Sequence, residues 1–188
     1  RVGATTSVRG GYACAKAMGE WLAAGLAQQH GLRAVVARVF NTVGARQVGH
    51  GGMVLPRFVE QALRGEPITV YGDGSQTRCF AHASETARAL CDLMAHPAVS
   101  GAYNVGSDAE VTVAALARLV RAAAGSRSPI VHKPLHAVFP AGFSDPQRRV
   151  PCLARLRSAI GWAPSLPIDA IVRSLVGARA PAAALEAP

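Results

Sequence analysis

The run Gly65-Glu66-Pro67-Ile68-Thr69-Val70-Tyr71-Gly72-Asp73-Gly74-Ser75-Gln76-Thr77-Arg78 decides how this chain is read. Gly65 is a helix stop, Ile68 to Tyr71 is a short strand of β-branched and aromatic residues, and Gly72-Asp73-Gly74 is a turn. Upstream, residues 54–64 are predicted to form a helix and residues 41–53 a Gly-rich loop. The apolar run from Arg33 to Phe40 is expected to be a buried strand. Residues 12–30 read as a helix, with Ala13, Ala17, Trp21, Leu22 and Leu26 close to a 3.6-residue period and Gly31 as its stop. Downstream, Ser84 is expected to N-cap a helix to about residue 96. Tyr103-Asn104-Val105 is a strand before Gly106. Thr112 caps a helix with Val113, Leu116 and Val120 inside and Gly125 beyond its end. Ile130-Val131 is a further strand, and two more helices lie near 152–160 and 168–177. The Ala/Pro-rich tail from Ala178 is expected to fray. The order α, β, α, β, α, β, α, β, α, α makes the chain α/β, with too few strands for a complete doubly wound sheet.

Composition narrows the function. At 188 residues the chain can bury a real core, and no apolar run is long enough to span a bilayer. The net charge of +9 comes almost wholly from arginine, since Lys16 and Lys133 are the only lysines. The arginines are dispersed, Arg148-Arg149 is the only adjacent pair, and no aromatic residues interleave with them, so neither a nucleic-acid nor a membrane partner is expected. Cys14, Cys79, Cys91 and Cys152 form no CxxC pair, and the histidines lack ligand spacing, so no metal is expected and the thiols read as reduced, in a cytoplasmic protein.

Tyr12-Ala13-Cys14-Ala15-Lys16 is a Tyr-x-x-x-Lys on a helix. The spacing sets both side chains on one face, with Cβ atoms roughly 5–6 Å apart. An ammonium beside a phenol favours the phenolate and draws the tyrosine pKa from about 10 toward neutrality, which makes a general base for an alcohol proton. A surface tyrosine beside a surface lysine is the plainer reading of the same five residues.

Further sequence features remove the ambiguity: Arg38-Val39-Phe40-Asn41-Thr42-Val43-Gly44-Ala45-Arg46, Gly52-Met53-Val54-Leu55-Pro56-Arg57-Phe58, the Gly65–Arg78 run, Tyr103-Asn104-Val105-Gly106 and Ile160-Gly161-Trp162-Ala163-Pro164. Over roughly residues 9–175 this ordered set closely resembles the extended short-chain dehydrogenase/reductase family, and within it NAD-dependent UDP-glucose 4-epimerase-like and UDP-glucuronate decarboxylase-like enzymes. The resemblance implies the C-terminal part of a Rossmann-like α/β fold with a small α/β substrate-binding domain. Residues 1–50 would be the remnant of the Rossmann-like domain, residues 51–177 mainly a nucleotide-sugar-binding domain interleaved with returning Rossmann elements, and residues 178–188 a flexible tail. Only eleven residues precede Tyr12, and none forms the Gly-rich turn that holds a dinucleotide, so the N-terminal dinucleotide-binding half is expected to be absent. As a fragment, the chain is expected to be inactive alone.

The resemblance also implies roles. Tyr12 would be the general base, and Lys16 would hold the nicotinamide ribose and assist it. Phe40 and Thr42 would pass near the nicotinamide of NAD. Asn41 would reach the diphosphate or sugar, Val54 and Leu55 would offer backbone groups to the nucleotide, and Tyr71 would lie at the nucleobase. Arg78 would clamp the diphosphate with its fork of donors, and Arg149 would add a second phosphate or sugar contact. Plainer roles stand beside these: Asn41 as a turn cap, Tyr71 as a packed strand aromatic, Arg78 as a surface ion-pair partner, Gly44 and Gly49 as turn glycines. The chain departs from the family at Cys152, where an Asp is usual, at Ala45 for Pro, at Ser84-Glu85 where two acidic residues are common, and before Tyr12 at Arg9-Gly10-Gly11. The implied reaction is oxidation of a UDP-sugar at C4 to a 4-keto intermediate, followed by epimerisation, decarboxylation or loss of water, in a homodimer joined through the Tyr12–His30 helix. A noncatalytic nucleotide-binding remnant or partner subunit of the same fold is the alternative.

Overall fold

The computed structural model describes residues 10–47, 53–139 and 145–179. Arg9, Thr5 to Ser7, Gly49 and the tail beyond residue 179 lie outside the described residues. Helices are α1 (Gly10–His30), α2 (Val54–Leu63), α3 (Ala83–Ala95), α4 (Val113–Ala123), α5 (Ala154–Ile160) and α6 (Ile168–Gly177). Strands are β1 (Val35–Val39), β2 (Thr42–Val43), β3 (Ile68–Tyr71), β4 (Thr77–Cys79), β5 (Ala81–His82), β6 (Gly101–Val105), β7 (Glu110–Thr112), β8 (Ile130–Lys133) and β9 (Arg148–Arg149). The pairs β1–β6, β2–β5, β3–β8 and β4–β9 are parallel, and β4–β7 is antiparallel. Parallel pairs need crossovers, so sequence-distant segments meet at every ladder.

Two apolar cores hold these elements. Leu55 and Phe58 of α2, Ile68 and Val70 of β3, Leu116 of α4 and Leu175 of α6 fill the first. Leu93 of α3, Tyr103 and Val105 of β6, Leu156 of α5 and Trp162 fill the second, with Val35 and Ala37 of β1 packed against it. Each fully buried Leu, Ile or Phe contributes about 1.5–3 kcal/mol. The helix stops behave as the sequence signals require. After α2, Gly65 takes φ 69°, its N–H bonds to Ala62 O, and Glu66 N–H bonds to Gln61 O, closing a Schellman motif. Gly125 does the same after α4, and Thr112 Oγ1 caps that helix by accepting Ala115 N–H at 3.1 Å.

Two expectations are corrected. The N-cap of α3 is His82, not Ser84: His82 Nδ1 accepts Ser84 N–H, and the chain enters the helix from β5, a strand too short to leave a periodic signal. β1 is not a buried strand. It is half-buried over Val35–Ala37 and exposed at Arg38 and Val39, because it pairs on one edge with β6 among the described residues. Strands β2, β4, β5, β7 and β9, of two or three residues each, escaped the sequence reading for the same reason as β5. Along α1 the half-buried positions are Cys14, Ala17, Glu20, Ala23 and Ala27, whereas Trp21 is 81% exposed and Leu22 and Leu26 face solvent. Arg33 closes the C-terminus of α3 by donating to Met94 O at 2.6 Å and His96 O at 2.8 Å.

Candidate functional site

The Gly65–Arg78 run builds the floor of the site, and each residue has a physical task. β3 delivers Tyr71, then Gly72 and Gly74 take φ 75° and 77°, conformations that only glycine adopts without strain. A Cβ on Gly74 would lie 2.9 Å from Ala114 Cβ and 3.0 Å from Val70 Cγ1, so the turn also needs glycine for space. Asp73 Oδ1 accepts Ser75 N–H at 3.0 Å and the Ser75 hydroxyl at 2.8 Å, an Asx turn that pulls the Asp73 pKa down. Buried Gln76 donates to Tyr71 O at 2.9 Å and folds the turn back on its own strand. The result is that β4 presents Arg78 beside β9.

Arg78, Asn41 and Arg149 come together from 108 residues of chain. The β4–β9 register pairs Arg78 with Arg149. Arg149 Nη2 donates to Asn41 Oδ1 at 2.6 Å, and Asn41 Nδ2 donates to Cys79 O at 2.8 Å. Asn41 therefore links the loop after β1 to β4 and β9, a longer-range task than a turn cap. Arg78 is only 8% exposed, so it is not a surface ion-pair partner. Its Nη1 donates to Thr77 O at 2.7 Å and Pro146 O at 2.8 Å, and its Nη2 to Asp145 Oδ2 at 2.6 Å. Neighbouring Cys79 is buried, and burial together with Glu110 and Asp108 pushes its thiol pKa up to about 11.

The remaining expected residues surround this cluster. Phe40 N–H bonds to Val105 O at 2.8 Å, and Phe40 Cβ lies 2.8 Å from where a Gly106 Cβ would be, so Gly106 permits this close passage. Thr42 Oγ1 donates to Phe40 O at 3.0 Å and lies 3.0 Å from Thr86 Oγ1 of α3. Val54 and Leu55 occupy the first turn of α2, where N–H groups have no intrahelical acceptor and Met53 provides no side-chain cap. Leu55 has its side chain in the core, and Val54 is half-buried. Tyr71 is half-buried, with the Arg57 guanidinium 3.9 Å from its ring centroid and Phe139 meeting it edge-on at 5.6 Å. Burial lowers the Arg57 pKa, and Tyr71 opposes the shift. Tyr12 and Lys16 stand one turn apart on α1, with Lys16 Nζ 5.5 Å from the Tyr12 ring centroid. Tyr12 is 73% exposed.

Sequence reasoning assigned no site role to Asp145, Thr86, Glu85 or Arg57. Asp145 meets Arg78 across 67 residues, and no local pattern marks such a pair. Glu85 is 3% exposed and accepts Ser165 N–H at 2.6 Å, the Ser165 hydroxyl at 2.9 Å and Leu166 N–H at 3.0 Å. Among the described residues no cluster of His, Cys, Asp and Glu could hold a metal ion, and no helix is long and apolar enough to cross a membrane.

A sequence profile of the NAD dependent epimerase/dehydratase family matches residues 3–106, more than half of the chain. The chain belongs to the NAD-dependent epimerase/dehydratase family. Among members of this family it is 38% identical over 142 residues to UDP-glucuronic acid decarboxylase 1 of Danio rerio, covering 76% of this chain and 32% of that protein. It is 36% identical over 165 residues to UDP-N-acetyl-alpha-D-glucosaminuronate decarboxylase of Bacillus cytotoxicus, covering 87% of this chain and 51% of that one. Its fold superposes on UDP-glucose 4-epimerase of Thermotoga maritima, solved with UDP-glucose, with a TM-score of 0.79 at 26% identity over 89% of this chain and 52% of that one. The chain thus spans a third to a half of the length of these family members, and its fold is the Rossmann-like α/β fold of the extended short-chain dehydrogenase epimerases.

Proposed function

We propose that this chain supplies the nucleotide-sugar site and the proton-transfer pair of an NAD-dependent UDP-sugar epimerase or decarboxylase that works through a 4-keto-sugar. The observation that carries this reading is the convergence of Asn41, Arg78 and Arg149, a polar and doubly cationic cluster assembled from the loop after β1, from β4 and from β9. Two guanidinium groups in register on neighbouring strands present planar forks of donors, and the diphosphate of a UDP-sugar is an anion such forks grip well. The open amides of Val54 and Leu55 at the start of α2 and the aromatic Tyr71 supply a second set of nucleotide contacts.

The nicotinamide end of NAD fits the residues present. Lys16 and Tyr12 share one exposed helix face, Phe40 passes close over Gly106 in the loop after β1, and Thr42 of β2 meets Thr86. Lys16 and Tyr12 would hold the nicotinamide ribose, and bound NAD⁺ would take up the hydride from sugar C4. Tyr12 would act as the base that receives the C4-hydroxyl proton, with Lys16 one turn away on the same helix face. Arg78, Arg149 and Asn41 grip the far end of the substrate, and this remote binding keeps C4 in place for both transfers. The apolar face of α1 around Trp21 supports a homodimer.

Turnover of UDP-glucose and UDP-glucuronate with NAD⁺ by the full-length protein, and UDP binding measured alongside, test the reading. Tyr12→Phe is expected to lower kcat by about 10²–10⁴-fold and leave UDP affinity unchanged. Wild-type turnover in Tyr12→Phe sinks the catalytic assignment. UDP binding with no turnover in the wild-type protein favours the noncatalytic nucleotide-binding alternative.

A further inference from the structure

We propose that Asp145 is a positioning residue for Arg78 and that it pre-organises the diphosphate clamp; this rests on the nucleotide-sugar reading above. Three observations lead to it. First, Thr77 and Cys79 alternate with Arg78 along β4, and the parallel register pairs Arg78 with Arg149, which sets the two arginines on one face of neighbouring strands, about 4.8 Å apart. Second, the two are held by different partners. Arg149 Nη2 donates to Asn41 Oδ1, and Arg78 meets the carboxylate of Asp145 at 2.6 Å. Third, the Arg78 side chain is only 10% exposed, so its orientation is set by these bonds rather than by solvent.

The donor count gives the mechanism. A guanidinium has five N–H donors in a rigid fork. Two on Nη1 go to Thr77 O and Pro146 O, and one on Nη2 goes to Asp145 Oδ2. The Asp145-Pro146 dipeptide thus holds the inner end of the fork with two acceptors, one a carboxylate and one a carbonyl. The donors that remain, Nε–H and one N–H of Nη2, belong to adjoining nitrogens and are available to an oxyanion. Without the Asp145 carboxylate the Arg78 fork keeps only its Nη1 bonds to Thr77 O and Pro146 O, its Nη2 end loses its anchor, and the like charge of Arg149 pushes that end away. The diphosphate then has to order the clamp as it binds, which weakens it.

A simple charge argument has the opposite sign. Asp145 is negative and near a diphosphate site, so deleting its charge would tighten diphosphate binding through space. The positioning role requires that deletion weaken it. Titration calorimetry with UDP and with uridine on wild type, D145A, D145N and D145E separates the two. The expected result for D145A is a loss of UDP affinity of about tenfold or more with uridine affinity within about twofold, as removal of a charged hydrogen-bond partner implies. D145N is expected to fall between, and D145E to recover part of the loss. Nearly isosteric D145N keeps the test valid should D145A fail to fold, with circular dichroism as the check. UDP affinity unchanged or increased in D145A and D145N overturns the proposal. A parallel loss of UDP and uridine affinity also overturns it, because Asp145 would then be only structural. If wild type binds neither UDP nor uridine, the nucleotide-sugar reading itself falls, an outcome distinct from the other two.

Discussion

Replacing Glu85 by alanine should unfasten the C-terminal segment from α3. The Glu85 carboxylate is 3% exposed, and its Oε1 accepts two backbone N–H groups and one hydroxyl from Ser165 and Leu166. Hydrogen bonds to a charged acceptor are worth about 1.5–3 kcal/mol each, and three on one oxygen are not additive. Truncation also orphans three donors in a place with little water, so a loss of about 3–5 kcal/mol is expected for Glu85→Ala, as for other broken buried charged contacts. Glu85→Gln keeps one acceptor oxygen but loses the charge, and should cost about 1–2 kcal/mol. With a urea slope of about 2 kcal/mol/M, the midpoint should fall by about 1.5–2.5 M for the alanine variant and about 0.5–1 M for the glutamine variant. The pH dependence adds a second readout. Burial alone raises the Glu85 pKa, but the Ser165 and Leu166 bonds, with the His82 backbone, outweigh it, and the folded-state value lies below the ordinary 4.5. A depressed carboxylate contributes stability that is present above the unfolded pKa and is lost as the pH falls through the folded one. The gap between wild type and Glu85→Gln should therefore be full at pH 7 and close as the solution is acidified below 4.5. A midpoint for Glu85→Ala within about 0.3 M of wild type at pH 7, against the shift expected from this slope, would refute the reasoning. So would a wild-type-to-glutamine gap that does not change with pH.

Gly74→Ala should destabilise the chain by about 2–4 kcal/mol, combining a positive φ that alanine resists with overpacking against Ala114 and Val70; an unchanged urea midpoint would show that the turn can relax. A thiol-reactive disulfide reagent at pH 8 should label exposed Cys91 and Cys152 rapidly and leave Cys79 unmodified until urea is added, because Cys79 is buried and its pKa lies at about 11; rapid native labelling of Cys79 would contradict this.

The helices were legible where an apolar period met a glycine stop, as in α2 with Gly65, and where a side-chain cap joined them, as in α4 between Thr112 and Gly125. Those signals are local, since caps and stops are satisfied within one turn of the chain. The turn glycines of Gly72-Asp73-Gly74 were legible for the same reason. The short strands were not, because two or three residues hold no period, and their partners stand up to 71 residues away. Ser84 was mistaken for the cap of α3 because its chemistry suits the position, and only β5 shows that His82 arrives there first.

By itself the sequence determined the α/β class, the glycine stops of the helices, the Tyr12/Lys16 spacing and the residue types available for an anion. Tertiary structure alone decided that Asn41, Arg78 and Arg149 form one cluster, that Asp145 holds Arg78, and that Thr86 meets Thr42. The physical reason is the parallel pairing: each ladder joins segments separated by a crossover, so which polar side chains become neighbours depends on register and packing and not on any spacing along the chain.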